Sequence, residues 1–286
     1  MKNIFKYSLN MLMVIFMITS CDPQEDNDHS LGNAPDVSRL SFSVAPSASN
    51  PNVIELTNTS DYKGGVIYWE LGNGANATGQ TAEARYPFAN TYTVTMQVYN
   101  PGAPVTISKE VVIMQNDPAQ INQDAIVLAG GLDGSKTWVF DRANDGHFGV
   151  GPAGASGPDW WACPAEGKAN CSLYENEFTF NLDGGYNMIW KNNGKIYTNS
   201  AGKDALGKPA TTPPDGDFDV EYTPNTAYTF SIDGKTLKLS DGGFFGHYAG
   251  TSTYKILSIT ENEFYIMCES TVESGNGWWY RFVPKK

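Results

Sequence analysis

Aromatic side chains set among glycines and prolines are the residues of this sequence best suited to binding. Trp160 and Trp161 lie in such a stretch, between Pro158 and Cys163. A loop has little core in which to bury two indoles, and the flat face of an indole suits the C–H side of a sugar ring. We therefore expect Trp160 and Trp161 to contact a glycan, with one of the two rings exposed. The alternative is that both rings close the end of a β-sandwich as structural plugs.

Two further segments, residues 242–248 and 275–282, also place aromatic side chains beside glycines. On a strand, Trp278 and Trp279 point to opposite faces, so one of them should belong to the core and the other should face outward. Histidines that follow a glycine in such loops could hydrogen-bond a sugar or a backbone carbonyl. If the loop ends meet at one rim, they build an aromatic surface. The additional candidate glycan contacts are His147, His247, Phe245, Tyr248 and Trp278.

Cysteine chemistry beyond the N-terminal segment is limited to three positions. Cys163 and Cys171 bracket a short loop, and in an oxidising compartment such a pair favours a disulfide that stabilises by roughly 2–3 kcal/mol. The alternative is two free thiols. Cys268 lies in an alternating strand and is expected to be buried. The spacing does not fit zinc, and the acids at 141–145 and 215–219 lack EF-hand order, so we predict no metal and no cofactor.

Hydrolysis of a glycan would need two carboxylates across the scissile bond, about 5–9.5 Å apart. Glu175 and Glu177, and likewise Glu261 and Glu263, alternate beside predicted strands, and we interpret them as polar side chains of a solvent-facing surface. The sequence contains neither a Gly-x-Ser-x-Gly elbow nor a His-Glu-x-x-His motif. We therefore predict a binding protein and not an enzyme, with a jelly-roll glycoside hydrolase as the alternative.

Composition bounds both the fold and the partners. The chain has 286 residues, of which 41% are hydrophobic, 17% charged and 13% aromatic, with 29 glycines. This length suits one large domain or two modest ones, and many short strands joined by glycine turns fit the composition better than helices do. The net charge of −12 repels phosphate backbones, so nucleic acid is excluded as a partner.

The N-terminal segment has the form of a secretory signal. Two lysines precede an apolar run at residues 9–18 that is too short to span a bilayer. The run leads into Ile-Thr-Ser-Cys at 18–21, which resembles the bacterial lipobox. This resemblance implies a lipoprotein signal peptide at residues 1–20 and acylation, such as palmitoylation, of Cys21. The alternative is an ordinary signal peptide followed by a chance cysteine.

Residues 22–28 contain four acids and no base. This charge pattern predicts a solvated, flexible tether, which we place at residues 21–36. An acidic stretch directly after the lipid cysteine also resembles the export signal of Bacteroidota surface lipoproteins. The resemblance implies a protein that is lipid-anchored in the outer membrane and exposed on the cell surface.

Strand-like alternation of apolar and polar residues dominates the next part of the chain. Residues 68–74 read Tyr-Trp-Glu-Leu-Gly-Asn-Gly, with Tyr-Pro-Phe at 86–88 and Thr-Tyr-Thr-Val at 91–94. The series resembles the PKD (polycystic kidney disease) family, although Glu-Leu stands where that family usually has Asp-Phe. The resemblance implies an immunoglobulin-like spacer over residues 37–115, with Trp69 in its core and no ligand of its own.

A linker at residues 116–124 separates this unit from a larger one, because Asn-Asp-Pro-Ala-Gln breaks the alternation. About ten further strands are predicted within residues 125–286, including a hairpin about the Asp-Gly pair at 233–234. The polar, proline- and glycine-rich residues 199–217 predict a long surface loop. The predicted fold class is all-β, with an immunoglobulin-like PKD sandwich followed by a larger jelly-roll-like β-sandwich.

The order of these parts carries a wider resemblance. The last unit contains Gly-His-Phe-Gly-Val-Gly-Pro at 146–152, Trp-Trp at 160–161 and Gly-Gly-Phe-Phe-Gly at 242–246. With the lipobox, acidic tether and PKD-like spacer, these resemble surface lipoproteins that accompany Bacteroidota outer-membrane glycan importers. The resemblance implies capture of a polysaccharide or oligosaccharide for an importer complex, without hydrolysis. The acidic chain favours a neutral glycan such as a β-glucan, and the remaining alternative is an assembly or adhesion module.

Overall fold

The computed structural model of the protein describes residues 34–61, 64–100 and 103–286. The predicted signal peptide, the lipidation at Cys21 and most of the predicted tether lie outside the described residues. Among the residues that are described, no helix combines the length and the apolar character needed to cross a bilayer.

The first unit is a sandwich of two antiparallel sheets, preceded by the 3-10 helix Val37–Arg39. Its strands are β1 (Phe42–Pro46), β2 (Val53–Asn58), β3 (Val66–Glu70), β4 (Asn76–Thr78), β5 (Thr81–Arg85), β6 (Asn90–Tyr99) and β7 (Val105–Ile113). The order is β1-β2-β5 in one sheet and β4-β3-β6-β7 in the other. Apolar side chains alternate inward along β3 and β6, and Trp69 is fully buried against Phe42. The prediction that Trp69 belongs to the core is confirmed.

The second unit is larger and also consists almost wholly of strands. It comprises α1 (Gln123–Ala129), β8 (Ser135–Phe140), β9 (Phe148–Pro152), β10 (Trp161–Ala162), the 3-10 helix Ser172–Glu175, β11 (Glu177–Asn181), β12 (Asn187–Lys191), β13 (Lys195–Thr198), α2 (Ser200–Leu206), β14 (Ala210–Thr211), β15 (Phe218–Glu221), β16 (Tyr228–Asp233), β17 (Thr236–Leu239), β18 (Thr253–Ile259), β19 (Phe264–Glu269) and β20 (Asn276–Pro284). The predicted all-β class is thereby confirmed.

Strands of the second unit pair in a closed antiparallel circuit. The order is β8-β11-β12-β16-β17-β18-β19-β20, and β20 pairs back with β8, placing Phe282 opposite Phe140. Neighbours in sequence pair along most of the circuit, so the strands connect as a meander. Because the circuit is closed, every strand in it has a pairing neighbour on both sides for at least part of its length. β9 and β10 extend outward from the first half of β20.

A small sheet in the order β13-β15-β14 lies outside the circuit. Tyr197 on β13 forms a single β-bridge with His247, and this bridge joins the small sheet to the segment between β17 and β18. The helix α2 packs against β13 and β15.

Aromatic rings fill the interior of the circuit. The ring of Phe245 lies 4.9 Å from that of Phe178 and 4.9 Å from that of Tyr254, in edge-to-face arrangements. Phe264 and Phe282 complete this cluster, at 5.7 and 5.4 Å from Phe245. Such pairs contribute about 0.5–1.5 kcal/mol each beyond the burial of their area. The interior is therefore held together by aromatic packing.

Two short helices were not predicted from the sequence. In α1, the side chain of Asn122 caps the first turn, and Gly130 ends the helix in a left-handed conformation. Asn199 and Gly207 act in the same way on α2, which lies within the predicted surface loop at 199–217. Each helix has only seven residues, too few for a helical period to stand out in the sequence.

The junction between the units is packed rather than open. Asn116 is buried, and its amide donates to the carbonyl of Leu132 at 2.7 Å, while its oxygen accepts from the backbone nitrogen of Ala89 at 2.9 Å. The ring of Phe88 meets that of Tyr186 edge-to-face at 5.0 Å. The predicted linker at 116–124 therefore begins with a residue that bonds to both units.

We expect Asn116→Ala to lower the free energy of unfolding by about 1–3 kcal/mol, because the buried backbone groups of both units lose their partner. Urea unfolding checks this, with the exposed Asn225→Ala as the matched control. Equal stability of the two variants would contradict a bonding role for Asn116.

Candidate functional site

Trp160 and Trp161, here called the indole platform, lie on the outer side of the β9–β10 extension. Trp160 is 58% exposed and Trp161 is 38% exposed. Within the described strands β10 pairs with β9 alone, so β10 is the edge strand of this extension. Both indoles are therefore exposed, where the sequence predicted one, and neither closes the end of a sandwich as a plug.

Glycines on β9 allow the platform segment to lie close to that strand. A Cβ added to Gly149 would come within 2.6 Å of the Cβ of Pro158, and one added to Gly151 would come within 2.7 Å of a backbone nitrogen. The backbone nitrogen of Trp160 donates to the carbonyl of Val150 at 3.1 Å. The backbone that carries the indoles is thus seated directly on a strand, as binding sites on rigid elements require.

A buried stack of rings supports the platform from below. Trp161 meets Phe148 edge-to-face at 6.1 Å, and Phe148 stacks on Trp278 at 5.3 Å with an interplanar angle of 17°. His247 follows, with its ring 4.1 Å from that of Trp278. The exposed indole is therefore the outermost member of a continuous aromatic column.

A buried cation lies beside the same column. Lys168 is only 6% exposed, and its ammonium lies 5.3 Å from the centre of the Trp161 ring. The ammonium donates to the hydroxyl of Tyr197 and to the carbonyl of Asp215, the latter at 2.8 Å. Burial, followed by the nearby Asp217 carboxylate, raises the pKa of Tyr197, so its hydroxyl stays protonated and donates to Asp217 at 2.7 Å. The ammonium thereby finds its hydrogen-bond partners on β13 and in the segment that precedes β15.

A second polar cluster fixes the loop that leads to the platform. His147 holds the Asn144 carbonyl through Nδ1 at 2.6 Å, and its Nε2 lies 2.7 Å from the hydroxyl of Tyr174. Because the Asn144 carbonyl can only accept, Nδ1 carries the proton of the neutral imidazole, so Nε2 accepts from the Tyr174 hydroxyl. The same hydroxyl oxygen accepts from the backbone nitrogen of Lys168 at 3.2 Å. Arg142 lies over the Tyr174 ring at 4.6 Å. The neutral imidazole therefore has a structural role.

Four of the predicted glycan contacts are buried. His147, His247, Phe245 and Trp278 are all less than 10% exposed, so the prediction that they contact a surface ligand is wrong. The glycines that suggested open loops instead let these segments pack closely: a Cβ on Gly246 would meet the side chain of a neighbouring asparagine at 2.7 Å. The rings of His247 and Trp278 belong to the column below Trp161, whereas the ring of His147 contacts that of Tyr174.

Tyr248 and the Trp278–Trp279 pair complete the comparison with the predicted contacts. Tyr248 is partly buried, with its ring 5.2 Å from that of Phe244, and its contact with a glycan stays a prediction. Trp279 is fully buried, so neither tryptophan of the pair faces outward as expected. A Cβ on Gly277 would lie 2.9 Å from the Trp279 ring, which shows that the ring occupies the space left by the missing side chain.

Cys163 and Cys171 are buried free thiols, so the structure does not contain the predicted disulfide. The thiol of Cys171 donates to the carbonyl of Lys168 at 3.3 Å, and that of Cys163 lies 3.9 Å from the hydroxyl of Tyr174. Burial raises the pKa of Cys171 to about 12, which keeps its thiol protonated. Hydrogen bonds rather than a covalent link hold this loop. Cys268 is buried, as predicted.

Carboxylates dominate the exposed charge beside the platform. Asp159 directly precedes it and is exposed, as is Asp217. Arg142, an exposed cation between β8 and β9, forms an ion pair with Glu166 at 2.5 Å. A negatively charged ligand would therefore meet repulsion here, whereas a neutral one would not.

The loop acids considered for calcium bind the protein itself. Asp219 accepts from the backbone nitrogen of Ser172 at 2.9 Å, and Asp215 accepts from that of Asn170 at 2.5 Å. In the part of the chain that the structure describes, no group of three or more His, Cys, Asp or Glu side chains could hold a metal ion.

No protein-family description and no curated protein matches this chain. Among solved structures, it is similar to the PKD1 domain of the metalloprotease PrtV from Vibrio cholerae, with 23% identity and a TM-score of 0.23 over 26% of this chain and 94% of that domain. The chain is also similar to the PKD1 domain of Vibrio anguillarum Epp, with 22% identity and a TM-score of 0.23 over 26% of this chain and 90% of that domain.

A further solved structure is described as a carbohydrate-binding module of the β-sandwich superfamily. It is 13% identical, with a TM-score of 0.22, over 86% of this chain and 90% of that one. Similarities at this level carry no functional conclusion, so the function must be argued from the side chains of this chain.

Two buried histidines, His147 and His247, make the stability of the second unit dependent on pH. Burial, followed by the charge of Lys168, lowers the pKa of His247 to about 3, and burial also lowers that of His147. The unfolded chain takes up these protons near pH 6.5 and the folded chain only at lower pH, so acid favours unfolding. We expect His247 alone to lower the free energy of unfolding by about 1 kcal/mol between pH 7 and pH 5.5.

Urea unfolding of the wild type and His247→Phe at both pH values measures this loss. The variant should lose about 1 kcal/mol less than the wild type, and His247→Gln serves if the phenylalanine is not tolerated. Identical pH dependence in wild type and variant would show that the pKa of His247 is the same in the folded and unfolded states, contrary to this prediction.

Proposed function

We propose that this chain is a non-catalytic glycan receptor that binds a polysaccharide or oligosaccharide through its indole platform. In this proposal it is anchored by lipid at Cys21 in the outer membrane, faces the cell exterior and delivers glycan to an importer complex. The observation that carries the proposal is the pair of exposed indoles at Trp160 and Trp161 on a supported strand edge.

Exposed indoles call for a functional explanation, because a large apolar surface in contact with water is unfavourable. The column of Phe148 and Trp278 below, and the ammonium of Lys168 beside it, restrict the orientation of Trp161 before any ligand arrives. A site that is ordered in advance loses less entropy on binding. Stacking of a sugar ring on such a surface needs no large rearrangement.

The ligand class follows from the charges around the platform. Asp159 and Asp217 are exposed, Arg142 is neutralised by Glu166, and Lys168 is buried. This environment favours a neutral glycan, for example a β-glucan, over alginate, pectin or sulfated polymers. The exposed carboxylates can also accept hydrogen bonds from sugar hydroxyls.

Two carboxylates that could be assigned to hydrolysis are engaged by bases. Glu177 pairs with Lys285 at 2.6 Å, and Glu263 pairs with Arg281 at 3.5 Å. A glycosidase needs one carboxyl group that is free to protonate the leaving oxygen. These ion pairs favour capture over hydrolysis, and product release from an oligosaccharide panel would instead identify a hydrolase.

Surface anchoring would make weak binding at one platform sufficient. Many anchored copies acting on one polymer raise the overall affinity through effective concentration. The lipobox-like Ile-Thr-Ser-Cys at 18–21 and the acidic residues 22–28 support the anchor and the surface location. Protease treatment of intact cells tests both, since a protein that stays intact until lysis is not on the surface.

The indole platform predicts the effect of two substitutions. We expect Trp160→Ala and Trp161→Ala each to weaken binding of a retained neutral polysaccharide at least about tenfold, equivalent to 1.4 kcal/mol. The melting temperature should change little for Trp160→Ala, because that ring is more than half exposed. Affinity electrophoresis against neutral and acidic polysaccharides, followed by calorimetry, provides the measurement.

Tyr99→Ala is the matched control, since Tyr99 is also an exposed aromatic residue but lies on the first unit. It should bind like the wild type. Unchanged retardation of both tryptophan variants, or no retardation of the wild type by any polysaccharide, would favour a module that docks another protein.

A further inference from the structure

A second aromatic groove lies at the far end of the small β13-β15-β14 sheet. It has a volume of about 480 Å³ and opens to solvent beside the end of β15. The residues that line it are Asn193, Gly194, Lys195, Lys208, Pro209, Glu221, Tyr222 and Thr223. An aromatic floor with hydrogen-bonding groups at its rim is the arrangement expected of a small-molecule site.

Tyr222 forms the floor of this groove. Its ring stacks on Trp190 at 5.4 Å with an interplanar angle of 25°, and it meets Phe244 edge-to-face at 5.0 Å. The backbone nitrogen of Tyr222 donates to the carbonyl of Gly194 at 2.9 Å, which ties the end of β15 to the turn before β13. The ring is therefore held on one side and directed to the groove on the other.

The side of the Tyr222 ring that faces the groove is covered by the long side chain of Lys208. The ammonium of Lys208 lies 4.4 Å from the ring centre, and Lys208 itself is exposed. An exposed cation–π contact contributes only about 0.5–1 kcal/mol, so a flat apolar ligand face can displace it. The rim groups Asn193, Lys195 and Glu221 remain available to bind hydroxyls.

The small sheet connects this groove to the indole platform. Tyr197 on β13 binds Lys168, which contacts the Trp161 ring, whereas Lys195 on the same strand lines the groove. Asp217 and Tyr222 flank the adjacent β15 and are five residues apart, which is about 16 Å at the rise of a strand. One glycan chain of a few sugar units can span such a distance.

We propose that the Tyr222 groove is a second saccharide subsite, which binds a pyranose unit of the neutral glycan held by the indole platform. The inference rests on the proposed glycan-binding function and adds a distinct site to it. Two linked contacts bind a long chain far more tightly than either contact binds a short one. The protein therefore discriminates polymers from short oligosaccharides.

Calorimetry with a neutral β-glucan polymer and its disaccharide, which is too short to reach both sites, tests the second subsite on the mature chain. The wild type should bind two disaccharides, Tyr222→Ala one, and Trp160→Ala the other one. The affinity of Tyr222→Ala for the polymer should fall at least fivefold, whereas Tyr222→Phe, which keeps the ring, should stay within twofold of the wild type. The double variant Asn193→Ala/Lys195→Ala should also weaken polymer binding and keeps the stacked rings in place if Tyr222→Ala does not fold.

The possible results separate this inference from the function on which it rests. One disaccharide per wild-type chain, lost in Trp160→Ala and unaffected in Tyr222→Ala and the double variant, overturns the second subsite and leaves the indole platform as the receptor. A wild type that binds no glycan in the panel overturns both. Two sites that respond separately to the two substitutions support both.

Discussion

A buried ammonium organises the loop that presents the exposed indoles. An ammonium buried away from water needs hydrogen-bond partners, and that of Lys168 has them in the hydroxyl of Tyr197 and the carbonyl of Asp215. Hydrogen bonds to charged groups contribute about 1.5–3 kcal/mol each, so these contacts constrain the loop. Because the same ammonium lies beside Trp161, the constraint extends to the surface ring. The position of the indole is thus set by the electrostatics of its support.

Local patterns in the sequence predict much of this fold. Alternation of apolar and polar residues predicts strands, and it does so well where one face is buried, as at β3 and β6. Composition also predicted that Trp160 and Trp161 could not both be enclosed by core, and both are exposed. These features depend on residues close together in the chain, which is why a single sequence contains them.

Local sequence patterns do not predict the features that depend on contacts between distant parts of the chain. Pairing of β20 with β8 joins strands more than a hundred residues apart, and nothing near either strand indicates closure. His147 and His247 lie in glycine-rich stretches typical of open loops, yet other elements bury them. Trp279 departs from the alternation rule because space beside Gly277 admits its ring. Each case depends on which segments meet in three dimensions.

Closure of the strand circuit has a mechanical consequence. The first unit precedes β8, and β9 lies between β8 and the segment that bears the indoles, so tension between a held ligand and the first unit is carried through β9 and then along β8. That strand is laddered on one side to β11 and on the other to β20. Sliding β8 out would break both ladders together in shear instead of one bond at a time. The segment that bears the indoles is therefore mechanically connected to the first unit through a strand that resists extraction under tension.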